Sequence, residues 1–271
     1  MPGGIKSLRQ YLKVVDVILE VIDARLPAAS RYPNLEQIIG SKQRVLVLTR
    51  VDLADRGATA RWLARFRAAG IPAVAINARS GAGVRALQRQ LAAIARARTE
   101  QLARKGLQPQ PLRAIAAGIP NVGKSSLLNR LAGRGAARTG DRPGITRGPQ
   151  WIRLGGMIEL LDTPGVLPSR QEEAAATIWL GAIGCLPEGR IATTTLATHL
   201  GAFLLAREPA KLAARYGINP QEETLPGLLE AIGRRRGYLQ SGGIVDQEKT
   251  AVALVHDFRE GLLGRYTLEE P

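Results

Sequence analysis

The chain has 271 residues, 45% of them apolar and only 4% aromatic, which allows one domain of about 150 to 200 residues and a smaller second one, cored by Ala, Leu, Ile and Val. Its longest apolar run, Val14–Ile22, is too short and too charged to cross a bilayer, the N-terminus lacks the apolar core of a secretory signal, and the single Cys185 excludes an internal disulfide, so a cytoplasmic protein with no membrane contact is expected. Net charge is +15, but residues 171–271 hold 10 Lys/Arg against 13 Asp/Glu, leaving 28 against 10 in residues 1–170, a surplus that suits a nucleic-acid polyanion or serves solubility alone.

In chain order, Val14–Ile22 reads as a strand, followed by Asp23-Ala24-Arg25-Leu26-Pro27 and a helical Asn34–Ile39. The strand Val45–Leu48 leads directly into Thr49-Arg50-Val51-Asp52. After a helix at Ala58–Ala69, the strand Ala73–Ile76 leads into Asn77-Ala78-Arg79-Ser80. Each tetrapeptide thus sits beyond a strand C-terminus, where an open parallel sheet binds ligands, although either alone also reads as an ordinary loop. Helix Val84–Arg104 and the residues after it carry Arg85, Arg89, Arg96, Arg98, Arg104, Lys105 and Arg113, either an RNA footprint or a solvated basic face.

The next strand, Leu112–Ala117, runs into Gly118-Ile119-Pro120-Asn121-Val122-Gly123-Lys124-Ser125, which fits GxxxxGK[ST], and then into the helical Ser126–Leu131. Such a loop turns its backbone N–H groups inward around a phosphate. Lys124 reaches the β- and γ-phosphates, and Ser125 offers a hydroxyl to Mg²⁺. Further on, Pro143-Gly144-Ile145-Thr146 lies in a basic loop, with Thr146 placed to close over Mg²⁺ as a switch residue. Trp151–Leu154 and Met157–Leu161 flank Gly155-Gly156 as an antiparallel hairpin. Asp162-Thr163-Pro164-Gly165 then ends the second strand, with Asp162 reaching Mg²⁺ through water and the Gly165 N–H meeting the γ-phosphate.

Alternating strands and helices predict an α/β domain with a mostly parallel sheet over residues 1–170, a P-loop nucleotide hydrolase in which Lys124, Thr146 and Gly165 serve catalysis. From Gln171 onward only helical segments are found, Glu172–Cys185, Thr194–Ala206, Pro209–Tyr216, Leu225–Arg236 and Gln247–Leu263, so residues 171–271 are expected to form a small all-helical domain.

The tetrapeptides at 49 and 77 resemble the Asn-Lys-x-Asp and Ser-Ala-Lys motifs of GTPases, with Thr in place of Asn and Arg in place of Lys. That resemblance implies that Asp52 accepts from guanine N1–H and the exocyclic amine. The stem of Arg50 lies along the base, and the Ala78 N–H donates to the carbonyl oxygen. Thr49, Val51, Asn77, Asn121, Val122, Gly123 and Ser126 complete the nucleotide contacts. The motifs stand before the phosphate loop instead of after it, an order that circular permutation produces without altering any strand-to-loop relation. With the Asp23–Pro27 segment, and with Arg236-Gly237, Gly242–Asp246, Asp257-Phe258-Arg259 and Gly264–Glu269 in the tail, the chain is similar to the circularly permuted GTPases of the YlqF-related group over nearly its whole length. The resemblance implies binding of GTP and GDP, with slow hydrolysis because Val166 stands where Ras-like enzymes carry the water-orienting Gln. It further implies a potassium ion near Asn121, unless Asn121 only braces its own loop. The implied partners are the precursor of the large ribosomal subunit and its ribosomal RNA, with no DNA expected. A nucleotide-gated RNA-binding module with little catalytic role, and an ATP-dependent protein, are the alternatives.

Overall fold

The structure is a computed structural model that describes residues 10–32, 34–133, 150–162, 174–221 and 224–271. The chain divides into two compact units, Met1–Gln171 with Glu269–Pro271, and Glu172–Leu268.

The first unit is built on a sheet of β1 (Val17–Asp23), β2 (Gln43–Thr49), β3 (Ala73–Ala75), β4 (Leu112–Ala117), β5 (Gln150–Leu154) and β6 (Ile158–Asp162), in the order β3-β2-β1-β4-β6-β5. All pairs are parallel except β5 with β6. Around them run α1 (Leu35–Ile39), α2 (Arg56–Ala68), α3 (Val84–Arg104) and α4 (Lys124–Ala132). The sequence VILEVID of β1 is buried at every position, as a central strand of a parallel sheet covered on both faces must be. Its Glu20 tolerates burial because Arg31 and Arg44 lie 3.1 Å and 3.3 Å from its carboxylate. β1 begins at Val17 rather than Val14, because the N–H groups of Val14 and Val15 close a turn on the Tyr11 carbonyl while Val15 still packs into the core. The β5–β6 connection spans three residues, Gly155–Met157, because Leu154 pairs with Ile158, so β6 begins at Ile158 rather than Met157, and Gly155 and Gly156 make the turn at positive φ. Helix α2 starts at Arg56, two residues earlier than its apolar period suggests, since Asp55 caps it by accepting from the Ala58 N–H.

The second unit packs α5 (Ala174–Ala182), α6 (Thr193–Arg207), α7 (Pro209–Tyr216), α8 (Leu225–Arg236) and α9 (Gln247–Arg259) around Leu180, Leu200, Leu204, Leu212, Ile232, Leu254 and Phe258. Helix α9 stops at Arg259 and not at Leu263, because the chain turns through Gly261 at positive φ and the Leu262 N–H returns to the Asp257 carbonyl. Between its helices, Leu239 and Val245 form an isolated antiparallel bridge. Asp257 ties three helices together: Arg215 Nε and Nη2 of α7 donate to it at 2.7 Å and 3.0 Å, the Tyr216 hydroxyl donates at 3.0 Å, and Arg236 Nη2 of α8 lies 3.8 Å away. Burial opposes ionisation of Asp257, but these donors and the charges of Arg215 and Arg236 outweigh it and hold the carboxyl below the ordinary aspartate range. The same burial, with the carboxylate beside it, pushes the Tyr216 phenol well up.

Candidate functional site

From β1 the chain builds outward to β2 and β3, then returns to place β4 on the other side of β1. The crevice beyond the C-termini of β1 and β4 is therefore the topological switch point, where open α/β sheets bind ligands. Residues 118–123 occupy it and lead into α4. Gly118 is required there, since a Cβ would lie 2.5 Å from the Val21 carbonyl. Asn121 and Gly123 take φ of 58° and 99°, and Ile119 and Val122 are buried, which turns the loop backbone outward around a cleft of about 340 Å³. Arg50, Pro120, Asn121, Gly123, Lys124, Ser125 and Ser126 line that cleft. The Lys124 ammonium is buried and donates to the carbonyls of Gly118 at 2.9 Å and Ile119 at 2.6 Å, so it is held inside the loop.

The segment after β2 is bonded to this loop. The Thr49 hydroxyl donates to the Val122 carbonyl at 2.5 Å, with the Ile22 carbonyl 3.0 Å away, and Arg50 Nη2 donates to the Asn121 carbonyl at 2.8 Å. Arg50 itself sits at φ 55° with Nε 3.8 Å from the buried Asp23 carboxylate, which Arg25 holds through Nε and Nη2. Thr49, where the motif has Asn, thus supplies a hydroxyl donor that braces the phosphate loop. Two expected ligand contacts take other roles: Thr49 is buried behind the loop, and Val51 packs against the core of Ile22, Leu46, Leu48 and Trp62. Val122 is fully buried and is not among the described residues lining the cleft. Asp52 is half-buried in the turn closed by the Leu53 N–H on the Arg50 carbonyl.

Asn77 spends its side-chain oxygen on its own loop, accepting from the Arg79 and Ser80 N–H groups at 2.8 Å and 3.0 Å. These two bonds shape the loop. Among the described residues the Ala78 N–H has no protein acceptor, whereas its carbonyl accepts from Arg130 Nε at 2.6 Å and the Arg79 carbonyl accepts from Arg130 Nη2. Arg130 was not singled out by the sequence, since it lies on α4 about two turns past the phosphate motif and its partners are 51 and 52 residues away. Asp52, Asn77 and Ala78 are not among the described residues lining the 340 Å³ cleft, which gathers the phosphate loop and Arg50 alone.

Thr146 and Gly165, with Pro143–Ile145, Thr163, Pro164 and Val166, lie outside the described residues. β6 ends at Asp162, one residue past Leu161, which pairs with Ile115 of β4, so Asp162 stands at the strand end beside the phosphate-loop strand. The Ser125 hydroxyl at the cleft is a donor type that suits a hard cation such as Mg²⁺, and the Asp162 side chain lies outside the described ones. No cluster of three His, Cys, Asp or Glu able to hold a metal exists among the described residues. A second cleft, of about 460 Å³, opens among residues at the N-terminal ends of β2 and β3, and its Arg44 is already engaged by Glu20 and Glu36.

A family profile described as 50S ribosome-binding GTPase matches residues 113–184. Ribosome biogenesis GTPase A of Bacillus cereus is 38% identical over 98% of this chain and 90% of its own length, and that of Thermotoga maritima is 30% identical over 100% and 93%. Two solved structures of YlqF from T. maritima, one GDP-bound and one GNP-bound, superpose with TM-scores of 0.69 and 0.68 at 26% identity, covering 98% of this chain in each case. The permuted strand order, the phosphate loop at its switch point and this near-full-length similarity together mean that the chain belongs to the circularly permuted GTPases of the ribosome biogenesis GTPase A, or YlqF, family.

Proposed function

We propose that the chain binds GTP in the 118–126 loop, hydrolyses it to GDP and phosphate, and acts in assembly of the large ribosomal subunit in the cytoplasm, in contact with a subunit precursor and its ribosomal RNA. The observation that carries this reading is the bonding of the guanine-type segment, through Thr49 and Arg50, to the phosphate loop of the same crevice. In this reading residues 1–170 are the GTPase domain and 171–271 a helical domain that follows directly on the second switch. Backbone N–H groups of residues 121–126 cradle the β-phosphate at the N-terminus of α4. Lys124, released from the Gly118 and Ile119 carbonyls, neutralises charge on the β- and γ-phosphates as water attacks in line. Gly165 positions the γ-phosphate by its N–H. Ser125, Thr146 and Asp162 are the residues that would hold Mg²⁺, which would supply neutralisation of the phosphate charge. Asp52 and the Ala78 N–H read the guanine edge, with the Arg50 stem along the base. Exposed Asn121, at the rim of the cleft, is the site at which potassium would add positive charge; faster turnover in potassium than in sodium supports that role.

Two measurements test the reading. Binding titrations should show GTP and GDP preferred to ATP, and equal affinity for ATP removes the guanine assignment. Steady-state hydrolysis should be slow in the free protein, accelerated by large ribosomal subunits and abolished in Lys124→Ala or Ser125→Ala with the fold retained by circular dichroism. Acceleration absent despite subunit binding favours a nucleotide-gated RNA-binding module.

A further inference from the structure

Helix α3 buries Val84, Leu87, Leu91 and Ala95 and turns Arg85, Arg89, Arg96, Arg104 and, beyond its end, Lys105 to solvent. At about 100° per residue, Arg89 and Arg96 lie within roughly 40° of Arg85, so three guanidinium groups form one stripe spaced about 6 Å and 10 Å apart along the axis. Ala92 and Ala103 share that face, and Glu100, the one acid near it, stands a turn beyond Arg96 without pairing to it. The helix holds five Arg against the single acid Glu100, whereas a helix needing only solubility mixes the two signs. None of Arg85, Arg89, Arg96, Arg104 or Lys105 has a carboxylate within ion-pair distance among the described residues.

The other two cations of this region differ, which corrects the sequence-based footprint. Arg98 pairs with Asp16 at 3.1 Å and donates to the carbonyls of Gln110 and Pro111, and Arg113 pairs with Glu159 at 3.1 Å while lying over the Trp151 ring. Both serve the fold. The exposed stripe does not.

We propose that the Arg85, Arg89 and Arg96 face of α3 contacts the phosphate backbone of double-helical RNA. Guanidinium groups bind phosphate oxygens in bidentate fashion. The helix contains no Phe, Tyr or Trp, the platforms on which proteins stack single-stranded bases, so its chemistry fits a backbone-presenting duplex and not an unpaired strand. The inference rests on the ribosomal reading for its choice of polyanion and on the side-chain pairing for its location.

The test compares the unmutated protein with Arg85→Gln/Arg89→Gln/Arg96→Gln, with Arg98→Gln, and with an equal-charge control on α2, Arg56→Gln/Arg65→Gln/Arg67→Gln, whose side chains are likewise exposed. The probe is a labelled RNA duplex of about 20 base pairs, titrated from low to physiological salt. The α3 set should weaken binding roughly tenfold or more at low salt and reduce the slope of log affinity against log salt by about 0.9 for each phosphate that is no longer neutralised. Arg98→Gln should leave that slope unchanged. Unaltered affinity and slope in the α3 set, an equal loss in the α2 set, or a loss seen with single-stranded RNA but not the duplex would each overturn the proposal. Binding of a fluorescent GDP analogue is measured on the same proteins. Its absence from the unmutated chain sinks the GTPase reading, whereas its persistence in an α3 set that still binds duplex normally sinks only the stripe.

Discussion

Asp52 and Arg130 are the two residues on which base recognition depends in different ways. Asp52 stands half-buried in its turn and is the one carboxylate assigned to the guanine exocyclic amine. A site built to hydrogen-bond a group rejects an analogue lacking it by up to ~10⁴-fold. Asp52→Asn should therefore weaken GTP sharply in a binding titration and favour xanthosine triphosphate, whose ring edge accepts where guanine donates. GTP affinity equal to that of the unmutated protein would remove Asp52 from the site. Arg130 touches no nucleotide in this reading. Its guanidinium holds the Ala78 and Arg79 carbonyls and so fixes where the Ala78 N–H points. Losing two such bonds costs about 1 kcal/mol each, so Arg130→Met should raise KM for GTP roughly thirtyfold with kcat little changed, and Arg130→Lys should restore part of the loss. A fall in kcat at constant KM would instead place Arg130 with the reacting phosphate.

At the scale of elements, the join between β3 and α3 sets the guanine-side loop. Gly83 begins α3 at φ 81°, and a Cβ there would run into the backbone carbonyl of Ala75. Because that neighbour is backbone of the sheet, it cannot swing aside as a side chain does. Gly83→Ala should cost more than about 2 kcal/mol in denaturant unfolding and, by displacing the Asn77–Gly81 loop, weaken GTP more than a phosphate-only ligand such as pyrophosphate. Unchanged stability would mean that α3 can shift away without cost. The strands and loops around this join were legible in the sequence, since parallel strands read as short apolar runs and Gly-rich loops follow them. The element ends were not: Asp55, Gly261 and the Tyr11 turn moved boundaries by capping and turn bonds that periodicity does not encode.

At the scale of the whole molecule, the two units carry opposite charge balance and draw stability from different sources. The first rests on a buried sheet, whereas the second joins α7, α8 and α9 through the Asp257 carboxylate. With its folded-state pKa below the ordinary value, Asp257 contributes stability that is present above about pH 4 and lost as pH falls through the folded value. Asp257→Asn should destabilise the helical unit by about 1 to 3 kcal/mol at neutral pH and flatten its loss of stability below about pH 4, followed by helical circular dichroism. A variant that keeps the parent's acid transition would show that other carboxylates govern it. The chain's last residues also join the first unit, where Glu269 accepts from the Ala28 and Ala29 N–H groups and its carbonyl accepts from the Trp62 indole.

The sequence by itself determined the α/β class, the phosphate loop, the permuted order of its motifs and the family, because each is written in short-range spacing: apolar runs of strand length, glycines where the backbone must turn, Lys and Ser at fixed offsets. Tertiary structure alone decided which of those polar residues face a ligand and which brace the fold. Thr49 bonds Val122 from 73 residues away, and Arg98, about 140° around α3 from Arg85, is held by Asp16 and the Gln110 and Pro111 carbonyls. Arg85, Arg89 and Arg96, identical to Arg98 in type and helix, stay exposed. A charged side chain keeps the partner that folding brings within about 3 Å, and that distance is set by chain topology, not by the residues beside it in sequence.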